Sequence, residues 1–140
     1  MTARLPLVIN STTIEEIQSG DTYNIGTNAT GTTPTFTGVK ETQVSISASN
    51  IDLSAGNYFT KTISGTTTFT ISNAASSGTV NSFILQLTNV GSATVNWFSG
   101  VKWAGGTAPT LTASGVDVLG FYTLDGGTTW ESFTLGKNMS

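Results

Sequence analysis

Histidine and cysteine are both missing from this 140-residue chain, and charge is scarce, with 5 Lys and Arg, 8 Asp and Glu, and 9% charged residues in all. Without imidazole or thiol there is no Ser-His-Asp triad, no thiolate nucleophile, no Cys/His zinc site and no histidine pH switch. The lack of cysteine leaves the redox compartment open, because such a chain tolerates either environment. Five scattered cations and a formal net charge of -3 argue against capture of nucleic acid or of an anionic membrane surface. Long apolar runs are absent as well. The opening Met1 to Ile9 has one cation and an apolar stretch too short for a signal h-region or a membrane span, so neither is expected. Heptads and a duplicated period are also missing, which excludes a coiled-coil shaft and gives no sign of a solenoid or propeller.

What the chain does have is Thr, Ser, Asn and Gly, which together make about half of it. Solubility therefore rests on hydroxyls and amides. Residues 1–40 and 41–140 read differently. The first stretch carries the apolar run Leu5-Pro6-Leu7-Val8-Ile9-Asn10, whose proline restricts it to an edge strand or an extended arm. Then comes Ser11 to Asp21, where Thr13 and Glu16 have the spacing of a capping box and Gly20 that of a C-cap; one helical turn and a tight turn between strands are equal readings. A Thr/Gly-rich linker, Gly26 to Gly38, follows. Such a segment holds too little apolar surface to offset its ordering entropy. Residues 1–40 are thus read as an extended docking arm, with Leu5, Leu7, Val8, Ile9, Ile14 and Ile17 as its contact residues.

From residue 41 onward a two-residue period dominates, which predicts half-buried strands. Val44, Ile46 and Ala48 mark one. Tyr58–Ile63 and Thr66–Ile71, joined by Ser64-Gly65, predict a hairpin. The strongest segment, Val80–Val90, puts Phe83, Leu85 and Leu87 on one side, and Gly91-Ser92 is expected to turn it into Ala93–Phe98. Val116–Leu124 and Thr128–Leu135 bracket Asp125-Gly126-Gly127, whose glycines suit the positive φ of a tight turn. Seven or eight short strands predict an all-β, antiparallel β-sandwich or jelly-roll-like domain over 41–140, preceded by the extended N-terminal arm.

Chemistry has few carriers here. Paired carboxylates can run glycoside hydrolysis, and eight are available, Glu15, Glu16, Asp21, Glu41, Asp52, Asp117, Asp125 and Glu131, but a strand, a turn and an alternating position beside Trp130 account for Asp117, Asp125 and Glu131. No D-x-D-x-D-G calcium loop is present, and no metal or other cofactor is implied. The aromatic residues crowd into the last third. Trp97, Trp103 and Trp130 either close the core of a small sandwich or, beside Asn96, Asp125 and Glu131, offer flat rings to a glycan.

The runs Ile51-Asp52-Leu53-Ser54-Ala55-Gly56-Asn57-Tyr58-Phe59-Thr60, Gly100 to Thr112 (GVKWAGGTAPTLT), Gly115-Val116-Asp117-Val118 and Asp125-Gly126-Gly127-Thr128-Thr129-Trp130 resemble, in this order, a β-module of tailed bacteriophages. That module occurs at the ends of tail-fibre-like proteins and in short virion proteins of marine and cyanobacterial phages. The likeness covers about residues 38–138, and the segment from Leu5 to Thr22 also resembles phage virion sequences. The resemblance implies a non-enzymatic virion protein, commonly a homotrimer, made in the host cytoplasm, and brings no catalytic residues. Two placements follow from it. One is a capsid decoration or cement protein whose arm docks on the major capsid protein. The other is a short tail-fibre or tail-tip component, docked on tail proteins, with a host glycan at its tryptophan-bearing end. Neither nucleic acid nor membrane is an expected partner.

Overall fold

The computed structural model describes residues 7–10, 13–16, 38 and 40–139. The chain divides into two compact units, 1–38 and 39–140. In the first, β1 (Leu7–Asn10) pairs antiparallel with β2 (Thr13–Glu16), with Ile9 opposite Ile14 and Leu7 opposite Glu16. Only Ser11 and Thr12 separate the two strands in sequence. Of the two equal readings of Ser11 to Asp21, the helical turn is therefore corrected over Thr13–Glu16, which is strand. Thr13 and Ile14 are β-branched and favour extended backbone, and cross-strand pairing satisfies the peptide groups that a capping box would have served. Of the expected docking residues, Leu7, Val8 and Ile9 fall on β1 and Ile14 on β2, while Leu5 and Ile17 lie outside the described residues.

The second unit runs β3 (Gln43–Ser45), β4 (Asn50–Asp52), β5 (Tyr58–Ile63), β6 (Thr67–Thr68), β7 (Thr70–Ser72), β8 (Asn81–Asn89), β9 (Val95–Asn96), β10 (Val101–Trp103), a 3₁₀ turn (Ala104–Gly106), β11 (Val116–Thr123) and β12 (Trp130–Gly136). The fold is all-β, as the alternation predicts. Six strands form one sheet in the order β10-β12-β11-β8-β5-β3, while β4 pairs with β7 and β6 with β9.

The sheet is mixed rather than wholly antiparallel. β11 is antiparallel to β8 and to β12, but β3, β5 and β8 run parallel to one another, as do β4 with β7, β6 with β9 and β10 with β12. The cause is the path of the chain. After β3 it does not turn back beside itself but leaves the sheet to form β4, then returns as β5. It leaves again for β6 and β7, and returns as β8. Each return lays the new strand alongside the last in the same direction. The hairpins expected at Ser64-Gly65 and Gly91-Ser92 are corrected accordingly: β5 pairs with β3 and β8, and β9 with β6. The hairpin around Asp125-Gly126-Gly127 is present, β11 against β12, with Phe121 opposite Ser132 and Tyr122 opposite Glu131.

The core is built from the inward side of each strand. Phe59, Leu85 and Leu119 fall in one row across β5, β8 and β11, and Phe83 lies opposite Phe121. Ile51 of β4 and Phe69, between β6 and β7, belong to the same buried cluster, so the short parallel pairs cover one face of the six-stranded sheet. Each such apolar side chain contributes about 1.5–3 kcal/mol relative to exposure. Buried polar groups are paired with care. The Asn89 side chain donates to the Thr112 carbonyl at 3.0 Å and accepts from the Ala93 N–H at 3.3 Å, tying the loop after β8 to the loop before β11. Lys61 sends its ammonium to the carbonyls of Ser47 and Ala48 at 2.8 and 2.7 Å, clasping the β3–β4 connection.

Candidate functional site

Trp97 follows β9, Trp103 ends β10 and Trp130 begins β12. Trp97 stacks on Phe69 at 5.9 Å and meets Trp103 edge-on at 5.0 Å, and both lean on Phe121, at 5.8 and 5.7 Å. Trp130 packs edge-on against Phe83 and Phe98 at 5.5 and 5.7 Å. Its indole N–H donates to the Gly127 carbonyl at 3.0 Å. The structure thus gathers the three tryptophans into one aromatic cluster that closes the sandwich. Trp130 is only 1% exposed and offers no ring face to a sugar. Trp97 and Trp103 are half-buried, and their remaining surface is the part of the cluster open to a ligand.

The aspartates hold turns. Asp52 accepts from the Asn73 side chain at 2.7 Å and from the Ser54 hydroxyl and N–H at 2.7 and 3.0 Å. Those bonds, the Asn73 amide first, keep its carboxyl below the usual range. Asp125 accepts from the Thr129 N–H at 2.8 Å and the Thr123 hydroxyl at 2.9 Å, and the Thr129 bond leads in lowering its pKa. Asp117, 1% exposed, accepts from the Thr112 N–H and hydroxyl at 2.6 and 2.8 Å and from the Asn138 N–H at 3.0 Å. Desolvation pushes its pKa up, but those three bonds and the charge of Lys137 outweigh it, and the net shift is downward. Glu131 is exposed on β12. No cluster of three or more acidic side chains with metal-holding geometry occurs among the described residues. Depressions on this unit are shallow, and one of about 400 Å³ over Thr88, Val90, Val116 and Met139 is mostly apolar.

Comparison with family models, with curated proteins and with solved structures gave no match of any kind.

One surface escaped the sequence reading. The outward side of the six-stranded sheet carries Tyr58, Ile84, Val118, Tyr122, Phe133 and Leu135, alternating with the buried residues. Tyr122 and Phe133 stack at 6.0 Å and 9°. Ile84, Gly120 and Phe133 lie in one row across β8, β11 and β12, leaving a notch of about 310 Å³ at the glycine between two large side chains. Leu135 lies against Gly120, where an added Cβ would come within 3.0 Å of it. Phe133 and Leu135 are 42% and 58% exposed. The signal available in the sequence was Phe133 and Leu135, two large apolar residues spaced by two in one strand segment.

Proposed function

We propose that the chain is a non-enzymatic structural protein of a tailed-bacteriophage virion, a capsid decoration protein that docks through its N-terminal arm and assembles as a homotrimer. The observation that carries this reading is the division of labour along the chain. A two-stranded ribbon, β1–β2, forms a unit of its own, and a two-stranded hairpin is marginal in water unless a further surface packs on it. Joined by a Thr/Gly-rich segment to a compact β-domain, such a ribbon suits β-strand addition or apolar docking on a larger shell. The motifs that resemble phage virion modules support the same reading through the β-domain. Gly100 to Thr112 spans β10 and the 3₁₀ turn, and Asp125 to Trp130 forms the closing turn of the last hairpin, so both serve the fold.

A second reading keeps the same virion class and places the protein at the tail, as a short fibre or tip. The half-buried faces of Trp97 and Trp103 favour it, since a glycan binds by stacking on such rings. Immunogold labelling of intact particles with an antibody to residues 41–140 separates the two. Many copies over the head are the expected result. Label at the tail alone would replace decoration by the fibre reading, and absence of label from particles would remove both. Deletion of residues 1–40 should abolish incorporation into particles while leaving the β-domain folded.

A further inference from the structure

We propose that the outward side of the six-stranded sheet is where a second copy of this chain packs. The inference concerns self-association as such, whatever the number of copies, and rests on that part of the functional reading alone.

Three features point to a copy of the chain rather than to solvent. The first is exposure: Phe133, Leu135 and Met139 are 42%, 58% and 55% exposed, and Met139 lies over Gly136, next to the side on which Leu135 covers Gly120. Two of the six large hydrophobic side chains that the described residues leave exposed, Phe133 and Leu135, thus share one side of one strand, with Met139 beside them, whereas scattered single residues are the norm.

The second is charge. No outward position on β5, β8 or β11 is ionised, and the polar groups among them are bonded to one another where they meet, as in the 2.8 Å bond from the Tyr58 hydroxyl to Gln86. Two carboxylates do stand on this side, Glu131 on β12 opposite Tyr122 and Glu41 at the edge of the notch, so a covering copy must bring cations to them. Beside Glu131, at the edge of the sheet, stands Lys102, its register partner on β10. One acid and one base side by side make the margin complementary to itself, because each can meet its opposite on another copy.

The third is size. Four strands spaced ~4.8 Å apart and about seven residues long at ~3.3 Å each give on the order of 450 Å² of sheet plane per copy, so two copies approach the ~1,000 Å² of a specific interface even before side-chain relief is counted.

Sedimentation velocity and light scattering on the full chain, from low to high micromolar concentration, test this together with Ile84→Lys and Phe133→Lys. The wild type is expected to sediment as an oligomer and each variant as a monomer with unchanged circular dichroism. A wild type that stays monomeric at every concentration overturns the inference. So does an oligomer that either folded variant leaves intact, since association would then use another surface. Should a lysine variant lose its fold, hydroxyl-radical footprinting of the wild type decides. Tyr122, Phe133 and Met139 are expected to become shielded as oligomer forms, and equal labelling in monomer and oligomer overturns the assignment. Absence of the protein from virions would sink the functional reading and leave these outcomes unchanged.

Discussion

Replacing Asp117 by Asn turns one carboxylate oxygen into an amide nitrogen in a site where both oxygens accept hydrogen bonds. Oδ1 takes the Thr112 hydroxyl and the Asn138 N–H, and Oδ2 takes the Thr112 N–H at 2.6 Å. An asparagine can place its single oxygen at the Oδ1 position and keep two of these bonds. Its amide group then faces the Thr112 N–H, donor against donor, in a site 1% exposed. A lost bond to a charged acceptor amounts to about 1.5–3 kcal/mol, and a buried donor left without a partner brings the total to about 3 kcal/mol. In a domain of about 100 residues each kcal/mol moves the midpoint by roughly 4–8 °C, so thermal unfolding followed by tryptophan fluorescence should show a fall of roughly 10–20 °C at pH 7. The pH dependence supplies an internal control. The folded-state pKa of Asp117 lies below the ordinary 3.8, so its contribution is complete above that value and is lost as pH falls through the folded pKa. The gap between wild type and Asp117→Asn should therefore be widest at neutral pH and close progressively below pH 3.8. A midpoint change under about 4 °C at pH 7, or a gap that stays constant into acid, would refute the assignment of Asp117 as the ionised anchor of the Thr112 loop and the C-terminal segment.

Two further substitutions test the frame around the aromatic cluster. Gly100 has φ +81°, and a Cβ there would run into the Thr128 carbonyl oxygen. Gly100→Ala is expected to cost more than about 3 kcal/mol in chemical denaturation, because both the backbone conformation and the close approach forbid it; a loss under about 1 kcal/mol would mean the two segments separate easily. Lys61→Met keeps the aliphatic stem and removes the ammonium from the Ser47 and Ala48 carbonyls. It should lower stability by about 1–3 kcal/mol in the same assay and raise hydrogen exchange locally in residues 46–49, and unchanged exchange there would show that the clasp contributes nothing.

The two-residue alternation made the strands and their buried sides legible: Phe59, Ile63, Phe83, Leu85 and Leu87 all face the core. Pairing was legible only where it is local. Asp125-Gly126-Gly127 announces its own hairpin, because the carboxylate and two positive-φ glycines, at +74° and +87°, are the turn. Elsewhere the partner of a strand lies far off. Gln43 pairs with Tyr58, Asn50 with Thr70, Tyr58 with Ile84 and Thr67 with Val95, separations of 15, 20, 26 and 28 residues. Turn residues such as Ser64-Gly65 mark where a strand ends but not which sheet the chain enters next. Because these returns differ in length, no fixed period appears in the sequence. For the candidate site, the tryptophans were legible as an aromatic group with two possible uses. Which use applies to Trp130 depends on its burial by Phe83 and Phe98, residues 47 and 32 positions upstream.

The same long returns set how the domain must assemble in time. Among the strand pairs of the second unit, only β11 with β12 is joined by a short connection, so that hairpin alone can form without first closing a long loop. It is also the part of the unit that a ribosome delivers last. The parallel strands upstream therefore have no early local partner, and the chain is expected to wait unfolded until the hairpin emerges, then add β8 and, through it, β5 and β3. Stopped-flow refolding should be slow, in the millisecond-to-second range, and should slow further when the Asp125 turn is loosened. A domain built this way gains its local native contacts only once its final strand has been made, and a domain cut short before Trp130 lacks the hairpin from which to start.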